Sequence, residues 1–148
     1  MCRKKLRILL VEDSHSLQEL ARILIEKQGD EITIVSNGLE ALHCLSKQDY
    51  DLVFMDLHMP VMDGLTTLRF IREFECGNTV EAPELNDITS LLKKRLLGEH
   101  TYVVAVTANS RERDRRRCFE AGMDDFLMKP YRINSFKSVM THYLDSHC

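Results

Sequence analysis

No apolar run in this chain is long enough to span a bilayer; Ile8 to Val11 with its neighbours has the length of a single strand. The basic start Met1-Cys2-Arg3-Lys4-Lys5 leads into that short run and then into acids, a pattern unlike a signal peptide. A net charge of −3 gives no case for nucleic-acid binding by the molecule as a whole. The five cysteines (Cys2, Cys44, Cys76, Cys118, Cys148) are odd in number and scattered without a close pair. That argues against a disulfide framework and against zinc, and predicts reduced thiols in a cytosolic setting. The six histidines show no metal-ligand spacing, and His15 and His58, which flank acidic motifs, read as surface loop residues. No internal repeat, low-complexity tract or linker divides the chain. Its 148 residues, 44% hydrophobic and 29% charged, predict one globular domain with a substantial core.

What is present is a regular alternation. Leu6 to Val11 reads as a first strand ending in Glu12-Asp13. Ser14 can cap a helix whose Leu17, Leu20, Ala21, Leu24 and Ile25 form one apolar face, stopped by Gly29. Ile32 to Val35 is a second strand. Asn37-Gly38 then turns the chain into a helix with Leu39, Leu42 and Leu45 inward. Asp51 to Met55 lacks a helical period and reads as a strand buried on both faces, ending on Asp56. Met59-Pro60 and Asp63-Gly64 mark the loop after it, and Leu65, Leu68 and Ile71 predict a third helix to about Glu75. From Cys76 to His100 the pattern loosens, although Leu85, Ile88, Leu91, Leu92 and Leu96 recur at the spacing of a short amphipathic helix beginning near Pro83. Tyr102 to Val106 is a fourth strand ending at Thr107-Ala108-Asn109. Arg111 to Ala121 is a basic helix, Asp125 to Met128 a fifth strand ending at Lys129-Pro130, and Ile133 begins a last amphipathic helix through Tyr143.

Strands alternating with helices predict a parallel sheet covered on both faces, and all parallel strands open on one edge. Glu12-Asp13, Asp56, Thr107 and Lys129 therefore converge there. Any one of them alone reads most simply as a solvated loop residue; successive placement at strand ends does not. Three neighbouring carboxylates repel one another unless a cation intervenes. Hard oxygen ligands with room for water suit Mg²⁺, which commonly bridges carboxylates to phosphate. Lys129 and Thr107 can complete a phosphate site, and Asp56, central and alone on its strand, is the candidate nucleophile for an aspartyl-phosphate.

Carried on Glu12-Asp13, the block from Asp56 to Gly64, Thr107-Ala108 and Phe126-Leu-Met-Lys129-Pro130, the sequence resembles the receiver domain of two-component response regulators and hybrid histidine kinases over essentially its whole length. The resemblance implies a flavodoxin-like, doubly wound α/β/α fold with five strands in order 2-1-3-4-5 and five helices, spanning residues 1–148. It implies that Asp56 takes a phosphoryl group from phosphohistidine on a histidine kinase or a histidine phosphotransfer protein. Mg²⁺ would be held by Asp13, Asp56 and the backbone carbonyl of His58, with Glu12 acting through water. Lys129, joined to Pro130 by a cis bond, would contact the phosphate. Thr107, followed by Ala108, would move toward it, and Phe126 would swing inward as an aromatic switch. The domain would not turn over a substrate as a stand-alone enzyme. It would work in the cytoplasm as a monomer or weak dimer, without nucleic-acid or membrane contact.

Two features depart from the family pattern. Glu12-Asp13 stands where two aspartates are usual, and residues 76–100 lengthen the connection between the third helix and the fourth strand. That connection either tunes partner choice or is a tolerated surface insertion. Arg111 to Arg117 carries five arginines against Glu112 and Asp114, and reads as a solvated helix face. Two other functions remain open from sequence. One is a pseudo-receiver that binds partners without phosphorylation. The other is a Mg²⁺ phosphatase, disfavoured because His58 occupies the place of the second acid such enzymes use.

Overall fold

The computed structural model describes residues 5–108 and 112–147. In chain order the elements are β1 Arg7–Val11, α1 His15–Glu26, β2 Glu31–Val35, α2 Gly38–Lys47, β3 Leu52–Asp56, α3 Gly64–Glu75, a 3₁₀ turn Pro83–Leu85, α4 Thr89–Leu96, β4 Val103–Thr107, α5 Glu112–Ala121, β5 Asp125–Met128 and α6 Ile133–His147. The five strands are all parallel, in the order β2-β1-β3-β4-β5. Among the described residues there are six α-helices where simple alternation predicts five, because the connection between α3 and β4 supplies α4. Among the described residues no helix is long and apolar enough to cross a membrane, and Cys44, Cys76 and Cys118 are free thiols. Cys2, Cys148, Asn109 and Arg111 lie outside the described residues.

The period of two along each central strand divides the core. Leu9, Val11, Val53, Met55, Val103 and Ala105 face a cluster completed by α2, α3, α4 and α5. Ile8, Leu10, Leu52, Phe54, Val104 and Val106 face the opposite cluster, completed by α1 and α6. All five residues of β3 and of β4 are buried, as strands covered on both sides must be.

Local chemistry fixes the strand-to-helix turns at the carboxyl edge. Ser14, Asn37 and Asp63 each occupy the extended N-cap of a helix and accept a backbone N–H from Leu17, Glu40 and Thr66. A Cβ at Gly64 would collide with the Asp56 carbonyl, so only glycine lets α3 start against the end of β3. Val61, between those two points, adopts φ 69°, a left-handed conformation rare for a β-branched residue.

The connection from 76 to 100 is not loosely attached. Leu85, Ile88, Leu92 and Leu96 are buried against α2 and α3. Arg95 donates to the carbonyls of Ser46 at 3.0 Å and Lys47 at 2.6 Å, and Gly98 N–H donates to the Glu75 carbonyl at 3.0 Å. At the amino edge of the sheet, Arg72 binds the carbonyls of Gly122 and Thr101 and the carboxylates of Glu75 and Asp124, tying α3 to the segments that enter β4 and β5.

Candidate functional site

The carboxyl edge brings together the residues that the strand ends carry. One carboxylate oxygen from each of Glu12, Asp13 and Asp56 lies within 4.8 Å of the others. Glu12 and Asp56 are buried, while Asp13 is exposed. β3 runs one residue further than its apolar pattern suggests, so Asp56 is a strand residue held by sheet hydrogen bonds, not a loop residue. Its Oδ1 accepts the backbone N–H of His58 at 3.1 Å. Its Oδ2 receives the Lys129 ammonium at 3.0 Å. The same ammonium lies 3.0 Å from Glu12 Oε1.

Lys129 is placed by β5: its backbone N–H donates to the Thr107 carbonyl at 2.9 Å, and the peptide bond to Pro130 is cis. Burial alone would push its pKa down. The hydrogen bonds and charges of Asp56 and Glu12 outweigh that, so the net shift is upward and the ammonium stays charged. Among the described residues three carboxylates then face one cation, which leaves the cluster short of positive charge.

Thr107 ends β4, buried, beside a cavity of about 650 Å³ that Asp13, His58, Met59, Pro60 and Arg117 also line. Of the acidic cluster Asp13 alone lines this cavity, which is large enough for a phosphoryl group with its water. Cys118 also lines it, and burial followed by the charge of Asp114 pushes that thiol's pKa up, toward the unreactive form. Phe126 is half-buried against the core cluster beneath the Arg115 guanidinium, 5.3 Å from its ring centre. His58 and Ala108 are exposed.

The strand-end residues Glu12, Asp13, Asp56, Thr107 and Lys129 thus meet at one edge. His15 joins none of the site's hydrogen bonds among the described residues and is exposed as expected, but it is the first residue of α1 and not a loop residue. Sequence reasoning missed Tyr131. Its hydroxyl donates to Glu12 Oε1 at 2.8 Å, and its ring is buried against Phe136, with centroids 5.3 Å apart. Burial and the adjacent Glu12 carboxylate hold its phenol well above the ordinary tyrosine pKa, so it remains a donor. The only sequence signal was a tyrosine directly after Lys129-Pro130. Glu12 Oε2 is also occupied, accepting the Ser14 backbone N–H at 3.1 Å, and the Glu12 carbonyl accepts the Gln18 side-chain amide.

Known proteins carry the same pattern. Residues 8–81 match the family model of the response regulator receiver domain. A probable histidine kinase 1 of Oryza sativa subsp. indica is 38% identical over 95% of this chain, which spans 16% of that protein's length. The receiver domain of the sensor histidine kinase PA1611 from Pseudomonas aeruginosa PAO1, solved with magnesium coordinated in its active-site cleft, is 27% identical. It superposes with a TM-score of 0.71 over 96% of this chain and 99% of its own. The receiver domain of Ssk1, solved with the Saccharomyces cerevisiae histidine phosphotransfer protein Ypd1, is 29% identical, with a TM-score of 0.75 over 94% of this chain and 88% of its own. The parallel sheet in the order 2-1-3-4-5, the acidic cluster at its carboxyl edge and these matches have one reading: the chain belongs to the response regulator receiver domain family.

Proposed function

We propose that Asp56 is a phosphoacceptor, taking a phosphoryl group from a phosphohistidine in a Mg²⁺-dependent reaction. The observation that carries this reading is the Asp56 carboxylate bonded to a charged lysine and clustered with two further acids, beside a cavity that Asp13 and Thr107 line. In the reaction an Asp56 oxygen attacks phosphorus, the bond from phosphorus to the donor imidazole nitrogen breaks, and an acyl phosphate forms. The donor imidazole keeps the electron pair of that bond and takes up a proton.

The donor set fits a hard divalent cation. It offers oxygen ligands only, a deficit of positive charge, and solvent access on the Asp13 side that lets an ion keep several waters. Asp13, Asp56 and the His58 carbonyl would hold Mg²⁺, with Glu12 acting through water. When bound, the ion supplies neutralisation of phosphoryl oxygens. Lys129 orients the phosphoryl group by moving its ammonium from Asp56 Oδ2 to a phosphate oxygen. The Thr107 hydroxyl donates to a second oxygen. The new acyl phosphate adds about −1.5 to −2 charge at this edge. It biases the fold through its contacts with Lys129 and Thr107, and Phe126 follows Thr107 inward.

The donor is a histidine kinase or a histidine phosphotransfer protein, a reading supported by the relatives that are histidine kinases and by the relative solved with Ypd1. The domain is read as one module, residues 1–148, that works in the cytosol as a monomer or weak dimer and is not a stand-alone turnover enzyme. Incubation with acetyl phosphate and Mg²⁺, followed by intact mass measurement, tests the assignment. One phosphoryl adduct on the native chain and none on Asp56→Asn is expected. Absence of an adduct on the native chain would favour a module that binds partners without phosphorylation.

A further inference from the structure

Glu12 is one methylene longer than the aspartate usual at its position, and that reach, beside Asp13 and Asp56, would let its carboxylate touch a divalent ion directly instead of through water. Within the cluster both of its oxygens already have partners. Oε2 accepts the Ser14 N–H, and Oε1 accepts the Tyr131 hydroxyl at 2.8 Å while lying 3.0 Å from the Lys129 ammonium. Tyr131 is 3% exposed and its ring packs on Phe136, so the hydroxyl does not swing away without disturbing the core. A phenol is a neutral donor. It satisfies one lone pair of a buried carboxylate without adding positive charge, so the cluster keeps the charge deficit that attracts a cation.

We infer that Tyr131 is a positioning residue that reserves Glu12 Oε1 for Lys129 and keeps Glu12 out of direct contact with the divalent ion, leaving Asp13 and Asp56 as its carboxylate ligands. The inference rests on the receiver reading above. Removing the hydroxyl frees a lone pair on Glu12 for the ion. Shortening Glu12 to aspartate withdraws the carboxylate from Tyr131, after which the hydroxyl has nothing to restrain.

Calorimetric titration with Mg²⁺ alone, on the native chain, Tyr131→Phe, Glu12→Asp and the double variant, tests this. Tyr131→Phe should bind Mg²⁺ roughly threefold to tenfold more tightly, less than a full charged hydrogen bond because Lys129 takes up part of the freed capacity. The double variant should match Glu12→Asp within about twofold, because coupled residues do not add. An unchanged affinity in Tyr131→Phe, or a gain that persists beside Glu12→Asp, overturns the inference while leaving the receiver reading intact. A native chain that binds no Mg²⁺ overturns both. If Tyr131→Phe does not fold, the native protein labelled with ¹³C at tyrosine Cζ gives the answer. The isotope splitting of a slowly exchanging Tyr131 hydroxyl should persist at saturating Mg²⁺, and its loss would overturn the inference.

Discussion

The Lys129 ammonium stands 3.0 Å from Asp56 Oδ2 and 3.0 Å from Glu12 Oε1, and both acids are buried. One cation therefore compensates two carboxylates that have little water. Lys129→Met leaves that charge uncompensated and should destabilise the fold by about 2 kcal/mol in the absence of divalent ions, less than for a fully buried pair because the ammonium is partly solvated. Phosphorylation of Asp56 by acetyl phosphate should fall roughly a hundredfold, the usual loss when a fixed charge-stabilising donor is removed. Urea unfolding in chelator and the rate of mass gain check the two effects separately. Unchanged stability would mean that water already compensates both carboxylates.

Alkaline solution should unfold this protein through its phenols. Burial, followed by the charges of Asp125 and Asp124, pushes the Tyr102 pKa to about 12, and burial likewise raises Tyr131 and Tyr143. A group whose folded pKa is raised keeps its proton longer in the folded state. Its stabilising contribution is complete below the unfolded tyrosine value of about 10 and is lost as pH rises through the folded value. Lys129 shifts in the same direction. Stability should therefore begin to fall above the ordinary thiol pKa, through Cys118, and fall steeply above the ordinary phenol pKa. Tyr102→Phe should flatten that fall. Urea midpoints across alkaline pH provide the measurement, and a slope indifferent to Tyr102→Phe would disprove its share.

Leu92 distinguishes an ornamental connection from a structural one. It is fully buried between α2 and α3, with Leu85, Ile88 and Leu96 around it. Leu92→Ala should cost about 3 kcal/mol, in the range for a leucine truncated inside a core. Excision of residues 77–99 should abolish folding instead of merely altering partner choice. A loss of less than about 1 kcal/mol for Leu92→Ala would return the segment to the status of a tolerated insertion.

These residues also mark how far the chain could be read from its sequence. The strand ends were legible because the apolar period stops at a charged or hydroxylated residue each time, at Glu12, Asp56, Thr107 and Lys129. The alternation of elements then forces those ends to one edge. The buried side of the connection was half legible: Leu85, Ile88, Leu92 and Leu96 have helical spacing, but spacing does not say which surface a helix covers. Long-range polar contacts were not legible. Tyr131 meets Glu12 across 119 residues of chain, and Arg72 meets Gly122 across 50, pairings that no local pattern encodes. The left-handed backbone at Val61 was hidden for the opposite reason, since valine is a residue whose local preference argues against it.

Asp13 places stability and function in opposition. It is exposed, yet one of its oxygens lies within 4.8 Å of those of Glu12 and Asp56, so without a cation its charge repels two buried neighbours. Asp13→Asn should therefore raise stability in chelator by about 1 kcal/mol, a screened repulsion at effective dielectric near the surface. Mg²⁺ should reverse the order. An ion that binds only the folded state stabilises it by mass action, and the native chain gains more from it than a variant that has lost a ligand. Urea unfolding of both chains, with chelator and then with rising Mg²⁺, should give stability curves that cross. If Asp13→Asn is instead the less stable chain in chelator, the acidic cluster is not under the electrostatic stress on which its affinity for a cation depends.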